Sequence, residues 1–146
     1  MKIAVGNDHR GLTTKEAVVN LLTDHDVIDV GTDSKESCDY PDFAAAAARL
    51  VHSGAADRAV LICGTGMGMA ITANKFPGVY ACVCDSEFEA ERARCHNNAN
   101  VMCIPSQLNP IIIEKMLNFF TRLDFEEGRH ARRLDKIKAI ENEFLS

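Results

Sequence analysis

The sequence predicts an α/β fold in which a parallel sheet carries helices on both faces. Two patterns point to it. Short, continuous apolar runs rich in β-branched residues alternate with stretches of helical periodicity along the chain. That alternation is the pattern of a parallel sheet covered by helices. The polar clusters also fall just beyond the ends of the apolar runs, where such folds bind ligands.

Lys2 to Gly6 reads as the first strand. It ends in Asn7-Asp8-His9-Arg10-Gly11, a dense polar cluster bounded by two glycines. Thr13 with Glu16 predicts a capping box, and Ala17, Val18, Leu21 and Leu22 follow at helical spacing. Val27 to Val30 is a second strand stopped by Gly31. Thr32 to Tyr40 is a polar loop, and Pro41 suits the first turn of an alanine-rich helix that Gly54 ends.

Ala59-Val60-Leu61-Ile62 is the third strand, with Cys63 at its end. Gly64, Gly66 and Gly68 follow at every second position, and Met69 to Lys75 reads as a helix. Such a loop offers backbone N–H groups to an anion, and a thiol placed there is expected to favour its thiolate. Cys63 reads equally as a small buried core residue. The loop has neither the spacing of a dinucleotide fingerprint nor the Lys-Ser/Thr of a P-loop.

Val79 to Val83 is a fourth strand, Asp85 to Cys95 a charged helix and Asn100 to Ile104 a fifth strand. His96-Asn97 lies in the break between the last two. Ile111 to Leu123 is an amphipathic helix. After Gly128, Arg129 to Leu145 forms an extra terminal helix whose apolar stripe can pack on this chain or on a second copy. Arg129 and Arg133, four apart, share one face, either as a solvated basic patch or as a phosphate clamp.

At 146 residues the chain fits one domain, residues 1–146. Its net charge of −5 argues against a nucleic-acid partner. No apolar run reaches membrane-spanning length, and Met1-Lys2 leads directly into a strand, so a cytoplasmic protein is expected. The six cysteines form no C-x-x-C pair and no zinc spacing, so free thiols and no metal or cofactor are expected. Cys82, Cys84 and Cys103 fall in apolar runs and read as core; Cys38 and Cys95 receive no role.

Six segments, in order, resemble the ribose-5-phosphate isomerase B family, which includes galactose-6-phosphate isomerase subunits. They are Gly6 to Gly11, Asp39-Tyr40-Pro41, Ile62 to Gly68, Ala73-Asn74-Lys75, His96 to Val101 and Gly128-Arg129-His130. The resemblance implies a Rossmann-like α/β/α sandwich of five parallel strands, working as a homodimer or a dimer of dimers. It implies metal-free aldose–ketose isomerisation of a sugar phosphate, most simply ribose 5-phosphate to ribulose 5-phosphate. Cys63 matches the base, and Gly64 to Gly68, including Thr65, Gly66 and Met67, match the loop that holds the enediolate oxygen. Thr65 is grouped with the catalytic residues. Asp8 and His96 match groups linked to ring opening; His9, Arg129 and Arg133 match phosphate binders; Tyr40 and Asn97 match residues lining the substrate. Part of each site, including the His96-Asn97 region, is implied to come from the neighbouring subunit.

One departure bears on the substrate. Family members usually carry an arginine in the loop after the fifth strand, and here Gln107 stands there. A six-carbon sugar phosphate, or an unphosphorylated rare sugar, is therefore an alternative substrate. A non-catalytic sugar-phosphate-binding protein is a further alternative, against which Cys63 and Asp8 argue.

Overall fold

The computed structural model describes residues 1–145. Five strands form one parallel sheet: β1 (Lys2–Asn7), β2 (Asp26–Asp29), β3 (Arg58–Cys63), β4 (Ala81–Val83) and β5 (Val101–Pro105), in the order β2-β1-β3-β5-β4. Six α-helices accompany them: α1 (Leu12–Leu21), α2 (Tyr40–Ser53), α3 (Met67–Ala73), α4 (Glu87–Cys95), α5 (Pro110–Arg122) and α6 (Arg129–Phe144).

The central strands are apolar on both sides because both sides are covered. Ile3, Val5, Val60, Ile62, Met102 and Ile104 pack beneath α1, α4 and α5, around the fully buried Phe120. The alternate positions Ala4, Leu61, Cys63, Val101 and Cys103 pack beneath α2 and α3. Ala44, Ala47 and Ala48 are all buried, so the alanine run lets the α2 backbone approach the sheet closely. Cys63 thus ends the central strand on the α2–α3 face.

Several expected boundaries shift. The Thr13–Glu16 capping box does not form. Asp8 instead accepts from the Arg10 N–H at 2.9 Å and starts a 3-10 turn, His9–Gly11, that runs directly into α1. α1 starts at Leu12 after Gly11, so Thr13 and Glu16 lie inside the helix and not at its cap. α3 begins at Met67 rather than Met69, because Gly66, at φ +78°, makes the left-handed turn that enters it. Strand four is only Ala81–Val83, since the Asn100 side chain and backbone hold Tyr80 outside the ladder.

β1 and β3 are neighbours, with β2 beyond β1 on one side and β5 and β4 beyond β3 on the other. The chain therefore reverses its direction of winding between β1 and β3. In open parallel sheets a crevice opens at the carboxyl ends of such a strand pair. Asp8 follows β1 there and Cys63 ends β3, tied together by the Asp8 N–H donating to the Ile62 carbonyl at 3.2 Å.

Candidate active site

A cavity of about 370 Å³ opens at this point, lined by Asp8, His9, Arg10, Cys38, Tyr40, Cys63, Gly64, Thr65 and Gly68. Cys63 is only 4 % exposed, yet its sulfur reaches the cavity and accepts the Gly66 N–H at 3.1 Å. An amide aimed at sulfur solvates negative charge on it. Thr65 Oγ1 accepts the Met67 N–H at 3.2 Å, so its hydroxyl hydrogen is free to donate into the same space.

Three other cysteines, Cys82, Cys84 and Cys103, do not line this cavity. Burial pushes the Cys84 thiol up to about 12 and raises those of Cys82 and Cys103. Burial in apolar surroundings keeps a thiol protonated and inert.

Gly68 faces Tyr40. A Cβ on Gly68 would lie 2.4 Å from Tyr40 Cε2, so glycine is what allows the ring to lie across the loop. His9 is oriented by the polar loop: the Cys38 N–H donates to its Nδ1 at 3.3 Å. The neutral ring therefore carries its proton on Nε2. That loop is anchored by buried Lys15, whose ammonium donates to the Thr32 carbonyl at 2.9 Å and pairs with Asp33 and Asp29 at 2.6 and 3.1 Å.

The remaining expected residues lie elsewhere in the chain. α4 runs back along the sheet, so His96 and Asn97 emerge near the amino ends of the strands. Asn97 lines a cavity of about 360 Å³ with Tyr80, Cys82, Leu134 and Ile137. From Val101 to Pro105 alone, β5 rises about 13 Å, at about 3.3 Å per residue, before reaching the level of Cys63. α6 lies at the same far end, where Ala131, Leu134, Asp135 and Lys138 share a cavity of about 850 Å³ with Met1, Arg58 and Asn100. Arg129 and Arg133 are exposed on this helix. Within one chain, then, the expected site divides into two groups at opposite ends of the sheet.

His96 is not isolated there. Its ring stacks on that of His130 at 4.1 Å between centroids and 14° between planes, and Glu126 Oε2 lies 3.6 and 3.7 Å from the two Nε2 atoms. Burial, with His96 and Arg129 nearby, lowers the His130 pKa against the opposing pull of Glu126. His96, Glu126 and His130 bring three potential ligand atoms within 4.8 Å. Stacked, near-parallel rings cannot both aim an in-plane lone pair at one ion, so this arrangement suits a packed pair better than a chelate. Among the described residues no helix is long and apolar enough to cross a membrane.

The sequence profile of the ribose/galactose isomerases matches residues 3–137. The chain belongs to that family. Ribose-5-phosphate isomerase B of Escherichia coli is 41 % identical over 143 residues, covering 96 % of each chain. Among solved structures, Clostridium thermocellum ribose-5-phosphate isomerase B superposes with a TM-score of 0.95 at 39 % identity, covering 99 % of each chain. The Mycoplasma genitalium enzyme, solved with bound ribulose-5-phosphate, gives 0.92 at 40 % identity, covering 97 % of each. The expected Rossmann-like architecture is thus the observed one, and this family member is an aldose–ketose isomerase.

Three residues near these groups had no assigned role in the sequence. Cys38 lines the thiol cavity through its contact with His9. Glu126 joins the two histidines, and its spacing of four from His130 was a visible hint. Arg10 stands in the first motif itself, between His9 and Gly11, and its side chain lines the thiol cavity.

Proposed function

We propose that the chain interconverts ribose 5-phosphate and ribulose 5-phosphate in the cytoplasm, without a metal ion, at sites shared between two copies. The hydrogen bond from Gly66 N–H to the Cys63 sulfur carries this reading, because it readies a thiolate beside a loop of backbone donors. The Cys63 thiolate takes the proton from C2 of the open-chain aldose and returns it to C1, while the proton of the O2 hydroxyl passes to O1, so that C2 becomes the carbonyl and C1 the alcohol. Between these steps the negative charge rests on the enediolate oxygens. The Gly64–Gly68 amides stabilise that charge, and the Thr65 hydroxyl hydrogen-bonds an adjacent oxygen.

Asp8 and His96 assist ring opening, with His96 and Asn97 contributed by the second copy. His9 gives its Nε2–H to the phosphate, Arg129 and Arg133 of the second copy grip it, and Tyr40 walls the cavity. The division of the expected residues between the two ends of the sheet supports this sharing: a two-fold pair of copies running antiparallel brings each thiol end to a histidine end. The exposed apolar stripe of α6, with Ile140 58 % and Phe144 72 % exposed, suits the same contact.

A coupled assay for ketose formation from ribose 5-phosphate, run with exhaustive chelator, tests the reading. Turnover that survives the chelator is expected. Failure with ribose 5-phosphate but turnover of a six-carbon sugar phosphate or a free aldose would move the substrate to the alternative that Gln107 favours. Loss of activity restored by a divalent ion would overturn the metal-free mechanism.

A further inference from the structure

Arg10 extends from the 3-10 turn after β1 and lies against the loop that follows Cys63. A Cβ on Gly64 would sit 3.2 Å from both Cδ and Nη1 of Arg10. The side chain lines the thiol cavity with Asp8, Cys63 and Thr65. It also lines an adjoining cavity of about 440 Å³ together with Ser106, Gln107 and Leu108. Gln107 holds a left-handed backbone there, at φ +73°, unusual for a residue with a side chain.

The charge of Arg10 is unmatched. Among the described residues no carboxylate lies within ion-pair distance of its guanidinium, and the guanidinium donates no hydrogen bond. Its acidic neighbour Asp8 accepts from the Arg10 backbone instead. Arg10 is exposed, and unlike the more buried Arg94, which donates to the Ala99 carbonyl and Asn98, and Arg58, which donates to the Phe120 carbonyl, its guanidinium is left to the cavities it lines. A planar fork of N–H donors, held beside the reacting thiol and left unpaired, matches the oxygens of a phosphate monoester.

We propose that Arg10 binds the terminal phosphate of the substrate from the same chain that supplies Cys63, with Gln107 as a neutral donor in the adjoining cavity. This rests on the reading of the substrate as a phosphorylated sugar. The site then holds the anion from both copies: Arg10 and His9 on one side, Arg129 and Arg133 on the other. Arg10 selects phosphorylated aldoses over free ones and restores the positive charge that Gln107 does not provide.

The test compares wild type with Arg10→Gln in two measurements. One is KM and kcat for ribose 5-phosphate; the other is the Kd of inorganic phosphate by calorimetry, which needs no turnover. Arg10→Gln is expected to raise both KM and Kd by about tenfold or more, with kcat changed less than threefold and the melting temperature unmoved. Arg10→Lys, keeping the charge but losing the fork, is expected to fall between. Unchanged KM and phosphate Kd would overturn the proposal, as would a fall in kcat with both constants unchanged. Should the chain turn over no sugar phosphate, the functional reading fails, and the phosphate Kd still decides the role of Arg10.

Discussion

The Gly66 backbone N–H points at the Cys63 sulfur from 3.1 Å, across a turn that only the left-handed glycine makes easily. This relation joins a central strand to the glycine loop that lines the cavity. The strand fixes where the sulfur is, and the turn fixes what it faces.

Cys63 and His96 lie toward opposite ends of the sheet in one chain, yet the proposed mechanism needs both. Cys63→Ala and His96→Ala should each be nearly inactive. When the two are mixed and allowed to exchange subunits, one site of each mixed dimer carries both defects and the other carries none. Activity should return to about a quarter of wild type, since statistical exchange makes half the dimers mixed. No recovery, with exchange shown by mass spectrometry, would mean that His96 does not serve a neighbouring Cys63.

Gly68→Ala should act on the substrate and leave the fold intact. The new Cβ collides with the Tyr40 ring, which is 41 % exposed and can swing outward. Alanine also favours the helix over glycine by about 0.5–1 kcal/mol, which offsets the cost of moving the ring. The melting temperature should stay nearly constant while KM rises several-fold, about 1 kcal/mol of binding. An unchanged KM would remove Tyr40 from the substrate's surroundings.

Lys15 couples stability to the thiol cavity, because the loop it anchors continues to Cys38 beside His9. Burial lowers its pKa, but hydrogen bonds and charges from Asp33 and Asp29 outweigh this and raise it above the ordinary 10.5. Lys15→Met should cost about 1–3 kcal/mol. The low end is favoured because Asp33 is largely exposed and stays hydrated once the lysine is gone. A raised lysine pKa stabilises fully below its unfolded value, and the gain is lost as pH rises through the folded value. The stability gap between wild type and variant should therefore hold from neutral pH to about 10 and close above it. A gap that ignores pH would show that the ammonium charge is not what anchors the loop.

Much of this was legible in the sequence because it is local. The apolar runs marked all five strands, and the glycine triplet after Cys63 marked the loop that lines the cavity and enters α3. The α1 start differs from the sequence pattern because Thr13 and Glu16 fit a capping box, while Asp8, five residues upstream, takes a capping role through the 3-10 turn that leads into α1. The division of the site could not be read from periodicity. It follows from α4 running antiparallel to the strands and delivering His96 to their far ends. The place of Arg10 is set by the fold, which lays its side chain against Gly64 in both the thiol cavity and the cavity that Gln107 lines.

The central claim is that the Cys63 thiolate moves the proton. Turnover of ribose 5-phosphate by Cys63→Ala, measured beside the Kd for the same sugar, tests it most directly. The account predicts that kcat falls by about 10²–10⁴-fold, the usual contribution of a positioned base, while Kd stays within about threefold. A variant that retains kcat within about tenfold of wild type would contradict it.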